Sequence, residues 1–328
     1  MRFRTEVTPE PLNRLIDYRH NLMFIGSCFT EHIGNKMYAL KFKTDMNPFG
    51  IVYNPASIAI QLQRLLKAEP YHAKDLFQHD DLWHSFDFHS RFSHIDRDVC
   101  LELINRQLTS SAEFLRKTDF LFITFGTAVT FHLADSGEVV SNCHKLPADR
   151  FETELLRVGE IVHAFQRVLG DCRKINNDLQ VILSVSPVRY LKEGPLGNQV
   201  SKATLLLACS ELSERMEYVH YFPAYEVFMD DLRDYRFYDS DLVHPSKSGI
   251  DYIWKLFQNS CLDPHAGEVI REVEAVVKAA GHKHTGQVTP KHQKFLEKYL
   301  VLTKSLQSRF PFMDLQQEIA AFTPESLS

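Results

Sequence analysis

No run of the sequence approaches the roughly 18 apolar residues that a membrane-spanning helix needs. Residues 1–22 carry charges and two prolines where a secretory leader needs an unbroken apolar stretch, so a cytoplasmic protein is expected. A dominant charge is also missing. With 37 Lys and Arg against 42 Asp and Glu, the formal net charge of −5 gives no reason to expect nucleic acid as a partner. The six cysteines (28, 100, 143, 172, 209, 261) include no CxxC pair, and in 328 residues they read as reduced, mostly buried thiols rather than a disulfide framework. Sixteen histidines form neither an HxxxH pair nor a Cys/His cluster at ligand spacing. His84, His89 and His94 recur every five residues, which one helix or strand face does not unite, and His282 and His284 fall in an apparent linker. No metal and no cofactor is therefore expected. Internal repeats and low-complexity tracts are absent as well.

What is there is an alternation of strand and helix patterns. Near-continuous apolar runs at 21–27 (NLMFIGS), 119–126 (DFLFITFG), 179–187 (LQVILSVSP) and, more weakly, 218–224 (YVHYFPA) have the character of strands covered on both faces. A further short strand fits 40–45. Apolar residues at three- and four-residue spacing predict helices over 56–68, 100–118, 154–170 and 200–216. Strand alternating with helix implies an α/β fold with a doubly wound, about five-stranded parallel sheet. Stretches 82–94 and 128–147 break the alternation and predict hairpins near one rim; the aromatics of the first suit hairpin packing or the lining of a cleft. After about residue 262 the pattern changes to amphipathic helices at 268–280 and 294–306, separated by a Gly/Thr/Pro-containing stretch. The division expected is an α/β domain over 1–262 and a helical extension over 263–328. Seven Lys or Arg against one acid between Lys278 and Arg309 predict a solvated basic face, with docking of an anionic partner as the alternative.

Two stretches carry chemistry. In FIGSCFTEHIG (24–34) an apolar strand gives way to a helix at Ser27 and Cys28, a place where reactive side chains are often mounted. In FYDSDLVHPSKSGIDYIW (237–254) Asp241 and His244 are three apart, so one turn can bring the carboxylate onto the imidazole Nδ1–H and leave Nε2 to accept a proton. Pro245 then suits the first turn of a helix that Gly249, Ile250, Ile253 and Trp254 continue onto the core.

These blocks, with NPFGIVYNP (47–55), WHSFDFHSRFSH (83–94), ITFGTAVTF (123–131), NCHKLP (142–147), SVSPVRY (184–190) and SKATLL (201–206), resemble the GSCFA family, from the first residues to about 260. That family resembles the SGNH, or GDSL-like, hydrolases. The resemblance implies a flavodoxin-like sheet, a nucleophile after the first strand and an Asp-x-x-His near the carboxyl end of the domain. It also implies ester hydrolysis or acyl transfer through a covalent acyl-enzyme, on a small-molecule or glycan O-acyl substrate such as an O-acetylated carbohydrate.

Aligned without a gap to the Gly-Asp-Ser-Leu-Thr-Glu of the hydrolases, GSCFTE places the nucleophile on Cys28 and puts Ser27 in place of the Asp. A shift of one residue keeps the hydroxyl, at Ser27, and loses the Phe-Thr-Glu match. Both candidates stand. A thiolate at a helix N-terminus near a histidine is expected to have a lowered pKa, whereas a serine needs His244 as base. The Asn that the hydrolases place in a Gly-x-Asn block is missing, since Gly126-Thr127-Ala128 occupies that place. The nucleophile's own N–H and that of Gly50 are candidate oxyanion donors, with Asn47, Thr127 or Asn142 as the third. His144, in the NCHKLP loop, and Arg189, just past a strand end where open sheets bind ligands, are candidate substrate contacts. The rival reading is a binding or scaffold protein that keeps the fold and has lost the oxyanion hole.

Overall fold

The computed structural model describes residues 4–282 and 289–323. The chain begins with β1 (Asn21–Gly26), α1 (Cys28–Ala39), β2 (Lys43–Met46) and α2 (Pro55–Lys67). A hairpin of β3 (Phe77–His79) and β4 (Leu82–His84) leads to α3 (Arg97–Leu115) and β5 (Phe120–Phe125). Then come β6 (Val129–Leu133), β7 (Val139–Val140), β8 (Phe151–Leu155), α4 (Val158–Ile175), β9 (Gln180–Val185), α5 (Gly194–Arg215) and β10 (Val219–Tyr221). A short α6 (Ala224–Glu226) runs into a wider turn over Val227–Leu232, and α7 (Lys247–Cys261), α8 (Ala266–Ala280), α9 (Pro290–Arg309) and α10 (Gln316–Phe322) complete the chain.

Strands β1, β2, β5, β9 and β10 form one parallel sheet in the order β10-β9-β5-β1-β2. Four are the strands that the apolar runs predict, and the fifth, Lys43–Met46, is the short strand expected at 40–45, displaced toward 46. Successive side chains of a strand point to opposite faces, and here both faces are buried. Met23, Ile25, Leu121, Ile123, Val181 and Leu183 join α2, α3, α4 and α5 in one apolar cluster. Leu22, Phe24, Phe120, Phe122 and Ile182 join α1 and α7–α10 in the other. Phe24 and Phe122 stack at 4.5 Å across β1 and β5, a pairing that contributes about 0.5–1.5 kcal/mol beyond buried area. The C-terminal helices therefore close the second face of the sheet: Ile270, Val273, Leu306 and Phe322 lie in the same cluster as Phe24. Lys291, Lys294, Lys298 and Lys304 remain on the exposed side of α9. His284, one of the linker histidines, lies outside the described residues.

The rim elements differ from the expectation. Stretch 82–94 closes on itself only through one antiparallel pair, Trp83 and His94, whose N–H and carbonyl groups exchange bonds at 2.7 and 3.2 Å, and is not a two-strand hairpin. Only Leu82–His84 is strand, and it pairs backward with Phe77–His79 across an Asp80-Asp81 turn, both residues at positive φ. Residues 128–147 hold a hairpin whose first strand also takes a second partner, because Phe151–Leu155 pairs with Val129–Leu133. Helix α4 accordingly starts at Val158 rather than 154.

Candidate active site

Strand β1 ends where it runs close against β5. Gly26 adopts φ +144°, and a Cβ there would lie 2.3 Å from the Thr124 carbonyl oxygen, so the position requires glycine. The next amide, Ser27 N–H, donates to that same carbonyl at 3.2 Å. Ser27 is then the extended N-cap of α1, but its hydroxyl makes no capping bond; Oγ is buried and without a partner among the described residues. Cys28 is the first residue of the helix and partly exposed. The opening N–H groups of a helix have no acceptor within it, and the backbone amides of Phe29 and Cys28 favour the Cys28 thiolate. Burial outweighs them and, with Glu31 acting in the same direction, holds the thiol above its ordinary value; Lys202 pulls it down. The lowered thiol expected from the helix N-terminus is therefore not found: desolvation wins.

Opposite this turn, residues 238–246 form a tight loop. Asp239 N–H donates to the His244 carbonyl at 2.7 Å, and Leu242 takes φ +58°. Asp241 accepts the N–H groups of Val243 and His244 at 2.8 and 2.9 Å with one oxygen and faces His244 Nδ1 at 2.6 Å with the other. Those two amides, then the imidazole, lower the Asp241 carboxyl to about 2. The aspartate is thus an anion at any physiological pH, and it favours the tautomer with the proton on Nδ1 and the lone pair on Nε2. Pro245 lies before the helix rather than in its first turn. It bridges to Tyr238, Ser246 supplies the N-cap, and α7 starts at Lys247.

Ser27, Cys28, Thr127, Arg189 and His244 line one cavity of about 260 Å³. It sits past the carboxyl ends of β1, β5 and β9, beside the point where the strand order reverses, the place at which open α/β sheets bind ligands. Tyr53, Gly126, Ser186, Val188, Tyr190 and Val243 complete the wall. The Arg189 guanidinium lies over the rings of Tyr238 and Tyr235 at 4.9 and 5.9 Å. Larger recesses along α3 and between α5 and β10 are lined by no cysteine and no histidine.

Four candidates lie elsewhere. Asn47 is buried behind the turn: its Oδ1 accepts Gly26 N–H at 2.8 Å and its amide donates to Glu31 at 3.2 Å, so it braces the nucleophile's strand end. Gly50, at φ +88° against His89, already donates its N–H to the Asn47 carbonyl at 2.7 Å. Asn142 accepts the His144 N–H, and its own N–H goes to Phe86. His144 is packed 4.4 Å from the His84 ring with Nε2 on the Ser85 carbonyl, and burial lowers its pKa to about 4. It is a neutral, structural histidine of the rim. Thr127 does reach the cavity, but its N–H and that of Gly126 both donate to the Tyr53 carbonyl, and its hydroxyl meets Ser201 at 3.0 Å.

Lys202, which sequence reasoning passed over, lies directly beneath. It is 1% exposed, and its Nζ donates to the carbonyls of Gly126 and Ser186 at 2.6 and 2.7 Å. Its position was signalled: Ser201, Leu205, Ala208, Cys209 and Leu212 fall on the buried face of α5, and Lys202 falls among them.

Comparison with known proteins agrees with the motif reading. A sequence model of the GSCFA family matches residues 21–257, and one described as the GSCFA domain protein, C-terminal domain, matches 273–325. No curated protein matches. Among solved structures, a carbohydrate esterase family 3 protein from Talaromyces cellulolyticus is similar at 9% identity and TM-score 0.34, covering 78% of this chain and 99% of that one. An acetyl xylan esterase from the rumen bacterium Butyrivibrio proteoclasticus is similar at 14% identity and TM-score 0.36, covering 75% and 66%. The chain belongs to the GSCFA family.

Proposed function

We propose that this protein is an ester hydrolase or acyltransferase that works through a covalent acyl-enzyme, with Cys28 as nucleophile, His244 as general base and Asp241 orienting it. The observation that carries the reading is that Cys28 and His244, with Asp241 behind the imidazole, share one small cavity at the carboxyl end of the sheet. Cys28 is preferred to Ser27 because the residue is partly exposed and the helix's opening amides favour its thiolate, whereas the serine oxygen is buried.

With the thiol held in its protonated form by burial, attack needs a base. His244 Nε2 removes the thiol proton as sulfur bonds to the acyl carbonyl carbon. The oxyanion that forms draws on the N–H groups of Cys28 and Phe29 at the start of α1. Collapse breaks the ester C–O bond, and the imidazolium returns its proton to the departing alkoxide. Water, or an acceptor hydroxyl, then attacks the thioester carbonyl carbon with His244 again as base, the C–S bond breaks, and the imidazolium returns its proton to the Cys28 sulfur. A cavity of about 260 Å³ suits a short acyl group such as acetyl, with the alcohol portion, a sugar among the candidates, lying toward the rim. Arg189 offers a cation there to an anionic group of the substrate.

A second reading, a binding protein without catalysis, is favoured by one observation: the amides of Gly50, Gly126 and Thr127 are all spent on backbone carbonyls. Hydrolysis of p-nitrophenyl acetate by wild type, Cys28→Ala, Ser27→Ala and His244→Ala separates the two. The catalytic reading expects Cys28→Ala and His244→Ala to fall by about 10²-fold or more while Ser27→Ala retains most activity. Equal rates in all four proteins would remove it.

A further inference from the structure

Among the described residues that line the cavity, Arg189 alone carries a permanent charge, and no carboxylate lines it. The others are small, apolar, hydroxyl-bearing or aromatic, together with Cys28 and His244. Arg189 is part-buried, yet its side chain makes no ion pair and no hydrogen bond among the described residues. A guanidinium carries five N–H donors and no acceptor, so a full set of donors stands unused in the wall. Asp241, the carboxylate of the neighbouring loop, is already held by two amides and His244 Nδ1. What holds the guanidinium is aromatic: its carbon lies 4.9 Å from the centre of the Tyr238 ring and 5.9 Å from that of Tyr235. A ring takes up the face of a guanidinium and leaves the N–H groups of its edge for another partner. The backbone fixes the root of the side chain, since Arg189 N–H donates to the carbonyl of Val243, the residue before His244, at 3.3 Å. The cation is therefore placed beside the base's loop by packing and one backbone bond, with its own hydrogen-bonding capacity unspent.

We propose that the substrate of this site is an acyl ester whose alcohol portion bears a carboxylate, an O-acetylated sugar acid for example, and that Arg189 is the residue that selects it. This rests on the proposed function in taking Cys28 and His244 as the centre of acyl transfer. The short acyl group fills the space beside Cys28, and the acid reaches the guanidinium, whose paired N–H groups donate to the two carboxylate oxygens. Carboxylate rather than phosphate follows from charge. One fixed cation lines the cavity, and one monoanion neutralises it. A phosphate monoester carries about −1.5 to −2 at pH 7, and the surplus would face Asp241, an anion on the same loop as the base. The mouth suits a ring: Tyr53, which lines the cavity, is 43% exposed, and Tyr235, beside the guanidinium, is 64% exposed. Both offer an aromatic face to the apolar side of a sugar.

The test is equilibrium binding of amide analogues, so that no ester need be cleaved. Dissociation constants for 4-acetamidobenzoate, its neutral counterpart 4-acetamidobenzamide and 4-acetamidophenyl phosphate are measured by NMR titration of wild type, Arg189→Met and Arg189→Lys. Binding is followed at the backbone signals of the Cys28 turn and the 238–246 loop. Wild type is expected to bind the carboxylate about tenfold or more tightly than the carboxamide, the effect of a charge-assisted, two-pronged contact. Arg189→Met should abolish that preference, and Arg189→Lys, which keeps the charge and loses the fork, should keep part of it. Equal wild-type affinity for carboxylate and carboxamide, or no measurable binding of the carboxylate, overturns the proposal. A preference that survives in Arg189→Met overturns it as well, and tighter binding of the phosphate overturns the assignment of the acid. If Arg189→Met does not fold, Arg189→Gln is read in its place, and the wild-type comparison stands without either. Hydrolysis is a separate readout. The carboxylate preference can fail while Cys28→Ala and His244→Ala still abolish cleavage of p-nitrophenyl acetate, and it can hold in a protein that cleaves no ester.

Discussion

The two halves of the site are built in opposite ways. The nucleophile's half is interior: Ser27 is buried, Gly26 presses against the Thr124 carbonyl, Asn47 braces the strand end from behind, and Lys202 lies beneath. The base's half is a surface loop in which the side chains of His244 and Asp241 are 44% and 49% exposed. It owes its shape to bonds within nine residues, from Asp239 N–H on the His244 carbonyl to the two amides on Asp241. The end of an interior strand can hold an atom in place by packing, whereas an exposed loop holds one by local hydrogen bonds that water competes for. Changes to the packing on the nucleophile's side should therefore be felt strongly as stability, and changes on the base's side mainly as activity.

The largest effect expected from that contrast is on rate. His244→Ala should lower p-nitrophenyl acetate hydrolysis by about 10²–10⁴-fold, with a urea midpoint within error of wild type. A variant that unfolds with the activity loss would break the contrast. Gly26→Ala is the converse. Its Cβ has no room and its φ is positive, so a loss of about 2 kcal/mol or more in urea denaturation is expected. On the base's side, Leu242→Gly relieves a left-handed residue at φ +58°, a conformation that costs about 1–2 kcal/mol for a non-glycine. Most of that relief is offset by the added freedom of the unfolded chain, which leaves a change in the same urea assay of under about 1 kcal/mol. The smallest effects are pH slopes. Lys202 is lowered from 10.5 to about 7 in the folded protein, so above pH 7 the unfolded chain binds the extra proton and stability rises with pH. Compared between pH 7 and 8.5, wild type should gain stability relative to Lys202→Met, and equal slopes would place the lysine's charge elsewhere. Asp241 has the opposite sign. Its carboxyl is lowered from 3.8 to about 2, so its contribution is complete above pH 4 and lost as pH falls toward 2. Asp241→Asn should flatten the acid limb of a thermal-unfolding series in that window.

The parts of this architecture visible in the sequence are those that depend on neighbours along the chain. Runs such as LMFI and FLFI are apolar throughout because the sheet is covered on both faces, and the Asp241–His244 contact spans three residues. Distant pairing is what escaped. Phe151–Leu155 carries two glutamates and reads as the approach to a helix, yet it is an outer strand whose partner, Val129–Leu133, is the one that turns its other edge to Val139–Val140. Gly50 and Asn47 are the residue types that make oxyanion donors, but a sequence cannot show that their N–H groups already have acceptors. Tyr53 and Tyr190 enter the cavity from loops, where no periodicity marks the direction of a side chain. Lys202 is an intermediate case. The face of α5 it shares with Leu205 and Leu212 was readable, and a lysine on an apolar helix face is a signal that a list of reactive residue types overlooks.

The most direct measurement is the fate of the acyl group itself. Wild type and His244→Ala, incubated with p-nitrophenyl acetate, quenched in acid and mapped by peptide mass spectrometry, should differ at one residue. An acetyl group on Cys28 in the wild type, absent or strongly reduced in His244→Ala, is the predicted result. Acetylation of neither Cys28 nor Ser27, or equal acetylation of Cys28 in both proteins, would contradict it.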